Sequence, residues 1–227
     1  MFGRAAHKYV LETYDFYNEF AVAPNCDRRT KEGKAEWLLF QDQNEGKDII
    51  TQEQFEQIEE MRKVMLATPF VSKLINGEHE MSYFWTDEET GLKCKVRPDS
   101  INHKLKVIVD YKTADNAETQ HFMRKAIDLG YDLQAYMYQQ GVKANVGEEY
   151  LFVFIAQEKK PPYAVNILEA DENFMASGKH IFTEMLNLYK ECSESGNWYG
   201  YLGADNQINS LGVPKWIEQL VESEVDE

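Results

Sequence analysis

Apolar residues recur along the first third of the chain with the spacing of helices. His7, Val10, Leu11 and Tyr14 fall at i, i+3, i+4 and i+7, one face of an opening helix that turns His7 inward. The polar residues 24–30 read as a loop, followed by a short helical piece carrying Trp37, Leu38 and Phe40. Thr51 with Gln54 makes a capping box, after which Phe55, Ile58, Met61 and Met65 continue an apolar stripe to about Ala67, where Thr68-Pro69 breaks it. A last short helix over residues 69–76 ends at Gly77, a suitable left-handed cap.

Alternation replaces this periodicity after Gly77. Residues 80–85 and 92–99 read as extended, joined by the hairpin connection Thr86-Asp87-Glu88-Glu89-Thr90-Gly91. Residues 106–112, centred on Val107-Ile108-Val109, make a third strand after the turn-rich Ser100-Ile101-Asn102-His103, so three antiparallel strands are expected in succession. Helical spacing resumes near Glu118, is interrupted at Gly130 and continues over residues 131–140; two helices or one kinked helix satisfy the pattern equally. Residues 149–157 and 163–168 read as two more strands, and a long helix over about 171–193 and a short one over 214–221 follow. This order predicts an α+β sheet domain. One domain over residues 1–227 is expected, with a helical part at 1–77, a sheet and helix core at 78–170, and C-terminal helices with an acidic tail at 171–227. Residues 217–227 hold five acids and no base, a composition expected to fray into solvent.

With 43% hydrophobic and 13% aromatic residues, the chain has enough core material to exclude the disordered and collagen-like classes. The longest apolar stretch, residues 150–156, has strand length, so no membrane span is expected. No export signal precedes the first helical pattern, which makes the cytoplasm the expected location. Cys26, Cys94 and Cys192 stand 68 and 98 residues apart, a spacing that specifies neither a disulfide framework nor a zinc or iron–sulfur site. Net charge is −15, which read alone argues against a polyanionic ligand. Residues 91–125 change that picture, because they carry eight basic residues against four acidic ones, while the other 192 residues carry −19. An acidic exterior with one focused basic site is the expectation.

Asp99 ends the second expected strand and Asp110 lies near the end of the third, where neighbouring strands can bring two carboxylates together. Lys112, two positions on, shares a strand face with Asp110, while Tyr111 points away. Hard oxygen ligands suit Mg²⁺ or Mn²⁺, and a lysine beside them can orient a water as the ammonium or deprotonate it as the free amine. Taken singly, an Asp after Pro is a turn former and an Asp-x-Lys pair a surface ion pair. An Asp closing the apolar run Val107-Ile108-Val109 is expected to be partly buried, however, and a buried carboxylate costs several kcal/mol unless it is paired or metal-bound.

Arg97-Pro98-Asp99, eleven residues before Asp110-Tyr111-Lys112, followed by Gln134-x-x-x-Tyr138, resembles the PD-(D/E)XK nuclease superfamily. More narrowly, the chain resembles the RecE-type exodeoxyribonucleases (exonuclease VIII) and their phage-encoded relatives. That resemblance runs from Gly3-Arg4-Ala5-Ala6-His7 through Glu80-Met81-Ser82-Tyr83-Phe84-Trp85 and Thr90–Asp99 to Trp198-Tyr199-Gly200-Tyr201. It implies a restriction-endonuclease-like αβββαβ core, with a mixed central sheet flanked by helices, that binds Mg²⁺ (Mn²⁺ substituting) and cuts DNA. It also implies that Asp99, Asp110, the Tyr111 carbonyl and His7 hold the metal, that Lys112 positions the nucleophilic water, and that Glu80 matches a family glutamate on the first strand. Gln134 and Tyr138, at i and i+4 on one helix face, match a motif that supports the metal site and contacts DNA, and Arg97 and Thr113 are read with them as DNA contacts. The activity implied is an ATP-independent 5′ to 3′ exonuclease on linear double-stranded DNA, releasing 5′-mononucleotides and leaving 3′ single-stranded tails for recombination. Its expected setting is the cytoplasm of a bacterial host, as a homo-oligomeric ring working on duplex ends with a RecT-like single-strand annealing protein. RecE-like proteins usually carry a helical segment before the histidine helix, whereas this chain opens almost on it, the pattern of a minimal or truncated form. The rival readings are a RecB-like or endonucleolytic member of the superfamily, and a non-catalytic DNA-binding protein that kept the fold.

Overall fold

The structure, a computed structural model, describes residues 1–203, 208–213 and 217–218. Its first helix, α1 (Phe2–Leu11), buries Ala5, Ala6, Val10 and Leu11. Tyr14 does not continue that face, because the helix ends at Leu11, a short 3₁₀ turn follows, and Tyr14 is exposed. Helix α2 (Phe16–Glu19) leads into strand β1 (Phe20–Val22), which pairs in parallel with β2 (Asp48–Ile50) across helix α3 (Lys31–Gln43). Leu38 and Leu39 of α3 are exposed, so its apolar residues contribute little core. The capping box opens α4 (Gln52–Ala67): Gln54 N–H donates to Thr51 Oγ1 at 3.1 Å and Thr51 N–H to Gln54 Oε1 at 3.0 Å. Ile58, Met61 and Met65 are fully buried.

The helical piece before Gly77 is α5 (Val71–Leu74), and Gly77 is not in the left-handed conformation expected of a cap. Glycine is needed there for another reason, since a Cβ would sit 2.0 Å from the carbonyl oxygen of Ile101. The strands expected over 80–85 and 92–99 are shorter, β4 (Tyr83–Thr86) and β5 (Lys93–Val96), and two further strands, β3 (Glu78–His79) and β6 (Ser100–Asn102), form outside those ranges. Residues 100–102, expected as a turn, are instead a buried strand, because neighbours satisfy their polar groups. Asn102 Nδ2 donates to the carbonyls of Lys73 and Asn76 at 2.8 and 3.0 Å.

Strand β7 (Val107–Ala114) follows, then helices α6 (Thr119–Asp128) and α7 (Tyr131–Val146), strands β8 (Leu151–Glu158) and β9 (Val165–Glu169), and helix α8 (Glu172–Ser195). Gly130, with φ +68°, separates α6 from α7, so the pattern resolves into two helices. The main sheet has the order β3-β6-β7-β8-β9, with β7 and β8 parallel and the other pairs antiparallel; β4 and β5 form a separate antiparallel ribbon. A mixed central sheet flanked by helices is thus the fold. Val107, Val109 and Tyr111 pack toward Val10, Leu11, Met65 and Val71 on one face, and Ile108 with Phe152 and Phe154 packs toward Phe122, Ala126, Ala135 and Val142 on the other. Burial on both faces explains the unbroken apolar runs of β7 and β8.

Two compact units are present, Met1–Glu184 and Met185–Glu227, and the first holds the whole sheet. Of the expected short helix at 214–221 and acidic tail at 217–227, all but Ile217 and Glu218 lie outside the described residues. No described helix is long and apolar enough to cross a membrane.

Gly77→Ala should lower stability by about 1–3 kcal/mol, because backbone rather than a yielding side chain meets the new methyl group. Urea denaturation measures this, and a loss near zero would contradict the close approach described.

Candidate active site

Strand register brings the acids together. Ser100 pairs with Val109 and Ile101 with Ile108, so one step further Asp99 and Asp110 leave the β6–β7 ladder side by side, and the eleven-residue spacing of the motif is the spacing of that hairpin. The β3–β6 and β4–β5 ladders share one register, in which Glu80 falls opposite Asp99, and the Glu80 N–H donates to the Asp99 carbonyl at 3.2 Å. Glu80, Asp99 and Asp110 therefore form one row across three adjacent strands, at the height where the outer strands break. Glu80 itself is left-handed, φ +55°, a rare conformation for a residue with a Cβ and one that recurs at functional sites.

Each acid meets a cation. His7 Nε2 lies 2.7 Å from Asp99 Oδ2 and His7 Nδ1 lies 3.4 Å from Glu80 Oε1, so α1 delivers one imidazole between two carboxylates. Arg97 Nε donates to Glu80 Oε2. Asp99 Oδ2 also accepts the Tyr111 N–H at 2.7 Å. Asp110 is fully buried; its Oδ1 accepts from Gln134 Nε2 at 2.9 Å, while Lys112 Nζ stands 2.6 Å from its Oδ2. Lys112 donates to Gln134 Oε1 at 3.0 Å and lies 4.5 Å from the centre of the Tyr131 ring. Asp110, Lys112 and Gln134 thus close a small circuit between β7 and α7. Tyr111 points into the opposite core, where its hydroxyl donates to Gln157 Oε1 at 2.7 Å and Gln157 Nε2 donates to the Met61 carbonyl at 2.8 Å.

Burial, and then the charge of Asp99, push the Asp110 carboxyl up to about 7, against the pull of Lys112. Burial alone would lower the His7 pKa, but Asp99, with Glu80 and Asp110 behind it, holds the imidazolium above its ordinary value. Lys112 behaves likewise: desolvation opposes its charge, and Asp110 and Asp99 outweigh it, so the ammonium is retained. Tyr138 has its phenol raised by burial, with a hydrogen bond to Gln134 opposing.

These groups open onto a groove of about 400 Å³ lined by Arg4, His7, Lys8, Glu80, Arg97, Lys112, Thr113 and Tyr131 among others. Of the residues predicted from sequence, His7, Glu80, Arg97, Asp99, Asp110, Tyr111, Lys112 and Gln134 are joined by contacts. Tyr138 lies behind Gln134, and Thr113 lines the groove. Glu78, two positions from Glu80, is elsewhere, beside His103. Arg4, Lys8 and Tyr131 were not singled out. Lys8 is held among Glu12, Asp15 and Glu19 at 3.0, 2.5 and 2.8 Å, and its position one residue past His7 was the available signal. A second cavity, about 420 Å³, lies against Phe122, Ile127, Phe154 and Phe174 and is largely apolar, with Glu169 and Asp171 also in its lining.

A divalent cation fits the residues present. Ligand atoms of His7, Glu80 and Asp99 lie within 4.8 Å of one another. The buried Asp110 Oδ2 has no hydrogen-bond donor, since Lys112 approaches it as an ion pair without a hydrogen bond's alignment. Carboxylate oxygens of this kind are hard-cation ligands.

Residues 1–209 match the family described as "PDDEXK-like domain of unknown function" (DUF3799). The chain belongs to this family. Membership in a PDDEXK-like family supports a hydrolytic nuclease with a divalent metal. No curated protein matches the chain. Among solved structures, the crystal structure of a "Putative exonuclease" from Eubacterium rectale is 18% identical, with a TM-score of 0.58 over 97% of this chain and 79% of that one, and shares the fold. The crystal structure of SSO0001 is 14% identical over 81% of this chain and 86% of that one, with a TM-score of 0.33.

Both His7 and Asp110 are shifted upward, so the folded protein keeps protons that the unfolded chain has released. Stability of the metal-free protein should therefore fall as pH rises from about 4, the ordinary carboxyl value, through the shifted Asp110 value, and the His7 share is lost above about 6.5. Melting temperatures at about pH 5 and about pH 8 should diverge more for wild type than for Asp110→Asn, with Mg²⁺ restoring wild type selectively at the higher pH. Equal pH dependence in the two proteins would contradict this electrostatic account.

Proposed function

We propose that this protein is a Mg²⁺-dependent, ATP-independent exonuclease that degrades linear double-stranded DNA from the 5′ end. The observation that carries the nuclease reading is the row Glu80–Asp99–Asp110 with Lys112 beside its buried end. The 5′ polarity rests on the resemblance to RecE-type enzymes, which also supports an oligomeric ring, a RecT-like annealing partner and a role in recombination.

Asp99 and Asp110, with His7 and the Tyr111 carbonyl at their flank, would hold the cation. When bound, it offsets charge on the phosphate oxygens and makes a water more acidic. Lys112, kept as an ammonium by Asp110, orients that water and faces the phosphate. The water oxygen would attack phosphorus in line as the bond from phosphorus to the 3′ oxygen breaks; one water proton goes to solvent, the 3′ oxygen takes up another, and the products are a 5′-mononucleotide and a shortened strand with a 5′-phosphate. Glu80 holds Arg97 at the groove wall, where the guanidinium meets the phosphodiester backbone. Gln134 bridges Asp110 and Lys112 and holds the pair at fixed geometry, and Tyr138 backs it.

End-labelled linear duplex and covalently closed circular duplex, each with and without Mg²⁺, test this directly. Only the linear form should be degraded, only with the metal, and with a 3′-terminated single strand left; nicking of the circle would indicate an endonuclease, and binding without cleavage a non-catalytic protein.

Lys112→Ala and Asp110→Ala should each lower cleavage by roughly 10²–10⁴-fold, yet differ in calorimetric titration with Mn²⁺. Asp110→Ala loses a ligand and should bind the metal more weakly. Lys112→Ala loses a neighbouring positive charge and should bind it as well or better. Loss of metal binding in Lys112→Ala would make Lys112 a purely structural partner of Asp110.

A further inference from the structure

The β4–β5 ribbon stands outside the main sheet and has two unlike faces. Tyr83 pairs with Val96 and Trp85 with Cys94, and this face lies on α7, where a Cβ at Gly141 would come within 2.4 Å of Val96 and 2.8 Å of Trp85. Asn145 Nδ2 adds a hydrogen bond to the Phe84 carbonyl at 3.1 Å, so the ribbon is fixed to the helix that carries Gln134. The other face presents Phe84 directly opposite Lys95, and Thr86 opposite Lys93. Phe84 is 64% exposed, and both lysines are exposed with no ion-pair partner among the described residues.

Alternation puts Lys93, Lys95 and Arg97 on one side of the strand, spaced about 6.5 Å apart, and Arg97 already lines the groove. A cationic stripe with one open aromatic ring therefore leads out of the groove along a rigid ribbon. It ends at the turn, where the exposed Glu88 and Glu89 reverse the sign. In a protein of net charge −15, two unneutralised lysines flanking an exposed phenylalanine have no evident stabilising role.

We infer that this outer face of the β4–β5 ribbon binds a single-stranded segment of the DNA next to the groove, with Phe84 stacking on a base and Lys93 and Lys95 meeting successive phosphates. Charge complementarity selects a polyanion, and the open ring selects unpaired bases over duplex, whose bases are already stacked. The inference rests on the nuclease reading for its substrate and adds to it a surface outside the acidic row.

The test is fluorescence anisotropy of a labelled oligothymidylate, and of a blunt duplex of equal length, in EDTA over a series of salt concentrations. The proteins are wild type, Lys93→Ala/Lys95→Ala, Phe84→Ala, Phe84→Trp, and Lys104→Ala/Lys106→Ala as a control of equal charge change at the far end of β7, with circular dichroism on each. The Lys93/Lys95 variant should lower the slope of log affinity against log salt by about 1.4 on the single strand, with the control unchanged. Phe84→Ala should weaken single-strand binding roughly 5- to 150-fold at unchanged slope, and Phe84→Trp should restore it. Wild-type slopes and affinities in both ribbon variants, equal losses in the control, or equal losses on the duplex would each overturn the assignment. Cleavage by wild type in Mg²⁺ is read separately. If it cleaves while the ribbon variants bind normally, only the ribbon proposal fails; if it neither cleaves nor binds DNA, the nuclease reading fails and the ribbon proposal with it.

Discussion

Three carboxylates placed in one row across adjacent strands repel one another, and the rest of this fold is arranged around offsetting that repulsion. Like charges directly opposite destabilise a sheet, and Asp110 pays a desolvation cost as well because it is fully buried. Each acid is met from a different element: Arg97 from the end of the β5 strand, His7 from α1, and Lys112 from β7 itself. Gln134 of α7 then fixes the last pair. Removing any one cation leaves an acid row held together by less than it needs.

That balance also explains how an acidic protein can handle a polyanion. The groove wall gathers Arg4, Lys8, Arg97 and Lys112 on one side of the row, and the ribbon beyond it adds Lys93 and Lys95. Much of this charge is internally compensated: Lys8 by three carboxylates, Arg4 by Asp48 at 2.9 Å. Arg97 and Lys112 are likewise paired, with Glu80 and Asp110, so the uncompensated positive charge lies on the ribbon, at Lys93 and Lys95, where it can steer a charged ligand without making the surface generally adhesive.

Some of the site was legible because its spacing is geometric. The eleven-residue step from Asp99 to Asp110 is a hairpin register, and Asp110 and Lys112 share a face by strand alternation. Helix periodicity likewise found the capping box at Thr51 and the buried Ile58, Met61 and Met65. What stayed hidden depends on tertiary partners. Ser100-Ile101-Asn102 has turn composition, yet becomes a buried strand because Lys73 and Asn76 carbonyls accept from Asn102. Gly77 looks like a helix cap, yet its lack of a side chain serves the approach of β6. The left-handed Glu80, which breaks the first strand beside the row, carries no local signature, since nothing in its neighbours favours φ > 0. Tyr14 kept helical phase on paper only because the end of α1 at Leu11 was not marked by a breaker.

The central claim is that the acid row is a divalent cation site whose inner wall is the buried Asp110. A crystal structure with Mn²⁺, located by its anomalous signal, tests it most directly. The account predicts an ion roughly 2 Å from carboxylate oxygens of both Asp99 and Asp110, with Lys112 Nζ displaced from Asp110 Oδ2 but still bonded to Gln134. An anomalous peak confined to surface acids, with the Lys112–Asp110 pair intact, would contradict it.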